Sequence, residues 1–211
     1  MLVGIAYEEL NQANATLKRE NEDLRSKIQE LSGIIQLAYL DPLTGIHNRR
    51  YYEQRILEEI NRAQRHPDQV FSLVLIDLND FKVINDSFGH AKGDEVLRRF
   101  SAFLTSNIRA QDICCRFAGD EFVIILPSTV KEEAQQFTDR LRVELRKDNS
   151  TSEIPMDMSL GVASFGSDGK TMAQILDAAD RRMYQEKRAT KNRSRKIKGM
   201  KNHHRENYLF G

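Results

Sequence analysis

The sequence predicts an α/β (α+β) domain, in which helices cover a central and mostly antiparallel sheet, preceded by a helical stalk. Three observations predict this fold: a seven-residue apolar repeat at the front, alternating helical and strand-like segments after Asp41, and two short strands around Gly119. The 211 residues suit one ordinary domain plus an appendage. With 40% hydrophobic and 30% charged residues the chain can bury a core, which excludes wholesale disorder and a disulfide scaffold.

Residues 1–40 predict a long helix that forms a parallel coiled coil. Apolar residues recur every seven positions and form a narrow stripe along this helix. An amphipathic helix packed on its own domain would need a wider apolar face. Asn side chains at core positions pair across a parallel dimer, and Glu20 can meet Arg25 of the partner subunit. The repeat therefore predicts a homodimer, and a rod of this kind suits a relay from an upstream sensor domain outside this chain. The d positions are Val3, Leu10, Leu17, Leu24 and Leu31, and the a positions are Tyr7, Asn14, Asn21, Ile28 and Ile35.

The stalk ends at the turn Asp41-Pro42-Leu43-Thr44-Gly45, because Pro disfavours helix at the residue before it and Gly permits a turn. Beyond it, the spacing of apolar residues predicts helices over 49–65, 94–106, 131–146 and 172–188. Strands are predicted over 70–78, 112–118, 122–127 and 154–165, the first buried on both faces and the middle two forming a hairpin. Alternating helices and strands with an antiparallel hairpin are typical of a ferredoxin-like sandwich.

A net charge of +1 conceals a basic C-terminus. Residues 181–205 carry eleven Lys or Arg against one acid, so this segment contributes +10 and the remainder −9. We expect residues 193–211 to form a disordered tail that is solvated or touches anionic lipid, nucleic acid or phosphates. A zipper dimer that binds nucleic acid through this tail is disfavoured, because the basic residues lie at the end opposite the zipper.

The apolar runs are far shorter than the roughly 20 residues that a membrane helix needs. The N-terminus lacks a basic region followed by an apolar one, so a cytoplasmic location is expected. The two cysteines, Cys114 and Cys115, are neighbours in a predicted strand and would point to opposite faces, which predicts reduced thiols rather than a disulfide.

Acidic residues stand at two positions where chemistry is expected. Asp77 ends the buried strand, and Asp120 and Glu121 occupy the hairpin tip. If these strands are neighbours, the carboxylates converge, and oxygen ligands without a His or Cys cluster favour Mg²⁺. Asp120 taken alone could simply make the turn. Asp77 would be costly to bury without a partner, which favours a ligand or a capped turn residue.

Polar residues follow this strand at 81–94. The chain has neither a G-x-x-x-x-G-K-[ST] loop nor a G-x-G-x-x-G segment after a strand, which disfavours P-loop enzymes and dinucleotide enzymes. Asn85 and Asp94 could bind a base edge, while Lys82 and His90 meet phosphates. His90 taken alone could equally cap a turn.

The globular part resembles the GGDEF diguanylate cyclase family over residues 41–192. The resemblance implies a nucleotidyl-cyclase-type palm domain that condenses two GTP into cyclic di-GMP, with release of two pyrophosphates, inside a dimer. Five segments carry it, in order and at the family's spacing: DPLTGIHNR from Asp41, DLNDFKVIND from Asp77, GHAKGD from Gly89, AGDEF from Ala118, and Ala179-Asp180, Met183-Tyr184 and Lys187.

The resemblance also implies the roles of individual residues. Two Mg²⁺ per GTP, or Mn²⁺ in their place, would bind Asp77, the main-chain carbonyl of Leu78, Asp120 and Glu121. The same three acids would be catalytic, with Asp120 also accepting the proton of the 3′-hydroxyl. Asn85 and Asp94 are assigned to the guanine edge, and the phosphate contacts are assigned to Lys82, His90, Lys187 and Lys191.

The chain departs from the family pattern at several positions. Ala118 replaces a Gly, and Arg182 and Glu186 stand where small residues are usual. The segment Thr190-Lys191-Asn192 replaces Gly-Arg-Asn, and Lys191 lacks the guanidinium fork that grips phosphate in two places. These departures concern nucleotide affinity more than the type of reaction.

Nine residues before the signature, Arg109-Ala110-Gln111-Asp112 resembles the family's RxxD inhibitory site, at which the product binds and halts turnover. Arg can stack on guanine and pair with phosphate, and Arg140 on a predicted helix would complete the site. A surface salt bridge is the simpler interpretation of this motif. A catalytically silent cyclic di-GMP receptor that keeps this site is the alternative to an active cyclase.

Overall fold

The computed structural model describes residues 2–66 and 68–207, and the side chains in these ranges except those of residues 2–10, 13, 36, 37 and 191–207. The chain divides into two compact units, Met1–Leu40 and Asp41–Gly211. The first unit contains α1 (Leu2–Tyr39), which agrees with the helix predicted from the heptad repeat. The described part of the chain has no helix that is long and apolar enough to cross a membrane.

The second unit is a five-stranded sheet with helices on both faces, and its mostly antiparallel sheet covered by helices agrees with the predicted fold class. The strands lie in the order β1-β3-β4-β2-β5, with β1 parallel to β3 and every other neighbouring pair antiparallel. In chain order the elements are β1 (His47–Asn48), α2 (Arg49–Arg65), β2 (Phe71–Leu78), α3 (Phe81–Phe88), α4 (His90–Ser106), β3 (Ile113–Ala118), β4 (Glu121–Pro127), α5 (Lys131–Asn149), β5 (Met158–Ser164) and α6 (Met172–Asn207).

The bounds differ from the predicted ones at a few places. The strand β1 and the helix α3 were not predicted, and α4 begins at His90 rather than Asp94 because Gly89 supplies its N-cap with a φ of 83°. A glycine adopts that conformation without the steric cost that a side chain would add. Helix α6 continues to Asn207, through the segment for which the sequence predicts a disordered tail, so the domain limit at Asn192 stays a prediction.

Strand β2 lies in the interior of the sheet and is buried along its whole length. Its side chains alternate between two hydrophobic layers, because successive residues of a strand point to opposite faces. One layer packs β2, β3, β4 and β5 against α3, α4 and α5, and the other packs the sheet against α2 and α6. Cys114 and Cys115 fall in opposite layers, both buried and free, as predicted.

Helix α6 lies very close to β5 because Gly161 has no side chain. A Cβ atom at Gly161 would stand 2.7 Å from the main-chain nitrogen of Met183 and closer still to the carbonyl of Ala179. Any larger residue would therefore force the helix away from the strand. This close approach positions the part of α6 that reaches the candidate active site.

Candidate active site

The predicted acidic residues converge at one end of the sheet. Asp77 pairs with Glu121 across the antiparallel β2 and β4, and the N–H of Leu78 donates to the carbonyl of Asp120 at 3.1 Å. The tight turn at Gly119, where φ is 51°, joins β3 to β4 and holds Asp120 and Glu121 at its exit. Of the residues predicted as metal ligands, Asp77, Leu78 and Glu121 therefore lie on two adjacent strands, and Asp120 lies in the turn that leads into β4.

Lys187 of α6 forms an ion pair with Asp77. Its Nζ atom donates to both carboxylate oxygens of Asp77 at 2.7 Å. The side chain of Asp77 is 7% exposed and that of Lys187 is 27% exposed, so the pair is largely withdrawn from water. Sequence reasoning placed both residues at the site but did not predict that they pair, since 110 positions separate them.

Burial and neighbouring negative charge disfavour the ionised forms of Glu121 and Asp120. Burial raises the pKa of Glu121, and the nearby charges of Asp77, Asp120 and Asp180 raise it further, while Lys187 acts in the opposite direction. Burial also raises the pKa of Asp120, with a further increase from Asp77. A concentration of negative charge in a partly buried site favours the arrival of a cation.

Arg116 of β3 braces the hairpin that carries Asp120. Its Nε donates to the carbonyl of Gly119 at 2.9 Å, and its Nη1 lies 3.0 Å from Oδ1 of Asp41. Asp41 in turn accepts from the N–H and hydroxyl of Thr44. The hydrogen bonds from Thr44 and Arg116 hold the pKa of Asp41 below its ordinary value against the opposing effect of burial. Sequence reasoning missed Arg116, whose only signal was a charged residue within an apolar strand.

The turn that follows Asp77 is fixed by a second set of hydrogen bonds. Asn79 is buried, its amide nitrogen donates to Oδ2 of Asp157 at 2.9 Å, and its Oδ1 accepts from the hydroxyl of Ser159 at 2.8 Å. The N–H of Asn79 also donates to the carbonyl of Asp157. These bonds tie the end of β2 to the start of β5, and sequence reasoning did not predict them.

Asn85 of α3 and Gly93 of α4 are in direct contact. A Cβ atom at Gly93 would collide with Oδ1 of Asn85 and would stand 3.0 Å from its Cγ. Oδ1 of Asn85 is buried and accepts no hydrogen bond from the described residues. A buried acceptor without a hydrogen bond costs free energy unless a ligand supplies a donor. Asp94, which is half-buried, directly follows Gly93 in the chain.

The predicted phosphate-binding residues are less closely gathered. Lys82 on α3 and His90 at the start of α4 are exposed, and within the described residues neither is hydrogen-bonded to Asp77, Asp120 or Glu121. Lys187 is the one that reaches the carboxylates. The side chain of Lys191 lies outside the described residues.

The unusual residues Arg182 and Glu186 attach α6 to the outer edge of β5. Arg182 donates to the carbonyl of Val162 and to Oδ1 of Asp168, each at 2.6 Å. Glu186 pairs with Arg142 of α5 at 2.7 Å and accepts from the N–H of Leu160. Both departures from the family pattern therefore have partners, and both help to fix the helix that carries Lys187.

The RxxD motif lies at a separate cavity of about 340 Å³, lined in part by Arg109, Asp112, Phe137 and Arg140. Asp112 is 9% exposed; its Oδ2 accepts from the N–H of Arg109 at 2.8 Å, while its Oδ1 is buried and has no partner among the described residues. Burial raises the pKa of this carboxyl, and Arg109 and Arg140 oppose that shift. Among the described residues, the hydrogen bond to Asp112 comes from the main-chain N–H of Arg109, and the side chain of Arg140 donates to the carbonyl of Asn107.

The acidic cluster fits a divalent cation in charge and ligand type. Carboxylate oxygens are the ligands that Mg²⁺ and Mn²⁺ prefer, and the mutual repulsion of these acids would fall when a cation binds. Among the described residues, no three His, Cys, Asp or Glu side chains are already arranged around one point as a complete ligand set. The positive charge beside Asp77 comes instead from Lys187.

Comparisons with known proteins identify the family. Residues 38–193 match the family described as "Diguanylate cyclase, GGDEF domain", and the chain belongs to it. Diguanylate cyclases of this family generally depend on a divalent metal. The fold also matches the structure of the coiled coil and GGDEF domain of DgcB from Caulobacter crescentus, with a TM-score of 0.72 over 83% of this chain and 94% of that one, at 22% identity.

Two curated relatives share more of the sequence. The response regulator PleD of Caulobacter vibrioides is 38% identical over 180 residues, which are 83% of this chain and 39% of PleD. The diguanylate cyclase DgcS of Shewanella oneidensis is 36% identical over 155 residues, which are 74% of this chain and 51% of DgcS. The chain thus spans about half or less of the length of these two curated relatives.

The attachment of α6 predicts a pH-dependent loss of stability in Asp168→Asn. Hydrogen bonds from Arg182, the N–H of Ser164 and Lys131 hold the pKa of Asp168 well below its ordinary 3.8, although burial acts in the opposite direction. Because the folded pKa is the lower one, this carboxylate stabilises the fold above about pH 4, and the contribution is lost as pH falls through the folded pKa. We expect Asp168→Asn to cost about 2 kcal/mol at pH 7 and progressively less in acid, measured by urea unfolding.

The matched control is Asp177→Asn, which removes an exposed partner of Arg181 on the same helix. This change should alter the free energy of unfolding by less than about 0.5 kcal/mol at either pH. An equal loss in the two variants would contradict the role given to Asp168.

Proposed function

We propose that the protein is a diguanylate cyclase that condenses two GTP into cyclic di-GMP and two pyrophosphates. The observation that carries the proposal is the placement of Asp77 opposite Glu121 on paired strands, with Asp120 at the adjoining hairpin, in a chain of the GGDEF family. The relative DgcS, named as a diguanylate cyclase, supports it.

The reaction requires a 3′-hydroxyl of one GTP to attack the α-phosphorus of another. A new O–P bond forms, the bond from the α-phosphorus to the bridging oxygen of the pyrophosphate breaks, and pyrophosphate leaves with the electron pair. Two divalent cations held by Asp77, the carbonyl of Leu78, Asp120 and Glu121 would supply charge stabilisation at the phosphates. Asp120 would accept the proton of the hydroxyl.

Selection of guanine would fall to Asn85 and Asp94. The buried, unpartnered Oδ1 of Asn85 can accept from the guanine edge, and the carboxylate of Asp94 can accept a second hydrogen bond. A base with a different donor pattern would leave these groups unpaired, which is the strongest basis for rejection in a binding site. Lys82, His90, Lys187 and Lys191 would contact or orient the phosphates.

Two copies of the chain must bring two GTP molecules together, and α1 is suited to pairing them. The apolar residues of its stripe are 55–62% exposed in the single chain, at Leu17, Leu24, Ile28, Leu31 and Ile35. A parallel coiled coil would bury this stripe and make the protein a homodimer.

The cavity at Arg109 would bind the product. Guanidinium groups of Arg109 and Arg140 can contact phosphate and the face of guanine, and Oδ1 of Asp112 can accept from the guanine edge. Occupation of this cavity by cyclic di-GMP would inhibit turnover, a feedback inhibition through the RxxD motif.

The first test measures cyclic di-GMP by mass spectrometry after incubation with GTP and Mg²⁺. We expect product from the native chain and at least about a hundredfold less from Asp120→Asn, because the carboxylate both accepts the proton and binds metal. Asp177→Asn is the control and should retain the native rate. Product from Asp120→Asn at the native rate would contradict the proposal. Binding of labelled cyclic di-GMP without any turnover in the native chain would instead favour a silent receptor.

The dimer is tested by placing charge on the apolar stripe of α1. We expect the double variant Leu24→Glu with Leu31→Glu to sediment as a monomer in analytical ultracentrifugation, because glutamates buried in the coiled coil oppose pairing. Its activity at low protein concentration should be at least about tenfold lower than that of the native chain. The control is the double variant Arg19→Glu with Ser26→Glu, which adds negative charge on the opposite side of the helix at the same spacing. A monomeric native chain, or equal effects of the two double variants, would argue against the coiled coil.

Feedback inhibition is tested with Arg109→Ala. The cyclic di-GMP concentration that halves the rate should rise by at least about tenfold, because a charge-assisted contact to the product is lost. Arg146→Ala, an exposed arginine on the same helix as Arg140, serves as the control. Unchanged inhibition of Arg109→Ala would remove the regulatory assignment and leave the cyclase proposal standing.

A further inference from the structure

The ion pair between Lys187 and Asp77 occupies atoms that a metal ion would need. Both oxygens of Asp77 accept from the same ammonium group at 2.7 Å, so the carboxylate is already neutralised on the side from which Lys187 approaches. Asp77 is nearly buried and has little access to water as an alternative partner. A cation that binds Asp77 therefore competes with Lys187 for the negative charge of the same two oxygens.

Neighbouring acidic side chains affect the competition between Lys187 and a metal ion for Asp77. Asp120 and Glu121 add negative charge near Asp77, and Asp180 adds it near Glu121. This charge attracts either cation, and Lys187 is the cation that reaches Asp77 directly. Removing one partner of a largely buried ion pair is strongly unfavourable unless another charge replaces it. A divalent ion can replace the ammonium at Asp77, but Lys187 then requires a new anionic partner.

Lys187 cannot relieve this problem by moving away with its helix. Gly161 lets α6 pack directly on β5, and Glu186, the residue before Lys187, is tied to Arg142 and to the N–H of Leu160. Only the side chain of Lys187 is then free to change partner, and it stays within reach of whatever anion enters the site.

We propose that Lys187 is a resident counter-cation of the metal site, which weakens binding of a divalent ion alone and makes metal binding depend on the arrival of a nucleotide. Displaced from Asp77, the ammonium gains a new partner in a nucleotide phosphate, so metal and nucleotide bind cooperatively. The second half of this inference rests on the proposed function, since it takes the nucleotide to be GTP. The first half concerns only this chain and a metal ion.

The experiment measures Mn²⁺ binding to the full chain by electron paramagnetic resonance, without nucleotide. We expect Lys187→Met to bind Mn²⁺ on the order of tenfold more tightly than the native chain, because the competing charge is gone while the length of the side chain is kept. Lys187→Arg retains the charge and should not gain affinity. Lys131→Met removes a lysine from the ion pair with Asp168 and is the matched control, with unchanged Mn²⁺ affinity.

A second titration repeats the measurement with the α,β-methylene analogue of GTP, which cannot react at the bond that the cyclase would break. In the native chain the analogue should tighten Mn²⁺ binding, and in Lys187→Met this coupling should shrink by about tenfold, because no ammonium needs a new partner. Circular dichroism confirms folding, and Lys187→Gln replaces Lys187→Met if the latter fails to fold.

Equal or weaker binding of Mn²⁺ alone by the folded neutral variants would overturn the inference, as would the absence of Mn²⁺ binding in all of them. These outcomes are independent of catalysis. Tighter Mn²⁺ binding in Lys187→Met together with no cyclic di-GMP from the native chain would uphold the counter-cation and reject the proposed function.

Discussion

The pairing of β2 with β4 is the constraint on which the rest of the site depends. An antiparallel ladder fixes which residues stand opposite each other, and the register that matches Phe71 with Pro127 also matches Asp77 with Glu121. A shift of one residue would move every side chain of β2 to the other face and carry the acids out of register. Burial of β2 on both faces makes such a shift costly, so hydrophobic packing far from the acids determines where they meet.

Around this ladder, each catalytic candidate is held by a group from a different part of the chain. Arg116 and Asp41 fix the hairpin turn, Asn79 and Asp157 fix the end of β2, and α6 brings in Lys187. The acids themselves are strained electrostatically, as the raised pKa values of Asp120 and Glu121 show. A rigidly held group of carboxylates with raised pKa values is typical of a site that is stabilised when its ligand binds.

Much of the fold could be predicted because it follows from local pattern. Helix α2 has the predicted limits, and β2 differs from its prediction by one residue, since a continuous apolar run and a helical periodicity leave few alternatives. The strand β1 has two residues, too few to show any pattern. Helix α3 has eight, and because Val83 and Phe88 are exposed while Ile84 is buried, apolar type alone does not distinguish its buried positions. The two elements that depend on tertiary context were thus the ones missed.

The candidate site likewise has features that the sequence predicts and features that depend on tertiary contacts. Residue type and motif order placed Asp77, Asp120, Glu121 and Lys187 at the site, but pairing across long separations is invisible to periodicity. Arg116 and Asp41 lie 75 positions apart, and Lys187 and Asp77 lie 110 apart. Such contacts are created by the folded arrangement of elements, so their partners could not be assigned from the residues alone.

The outer edge of the sheet at β5 has a consequence for how the molecule behaves among many copies of itself. An edge strand ordinarily offers free N–H and C=O groups to which a strand of another chain can add, a common route to aggregation. Here the N–H of Leu160 is bonded to Glu186, the carbonyl of Val162 to Arg182 and the N–H of Ser164 to Asp168. Arg182 and Glu186, together with Asp168, therefore hinder strand addition at this edge, and a crowded population of these chains has one fewer surface through which to polymerise.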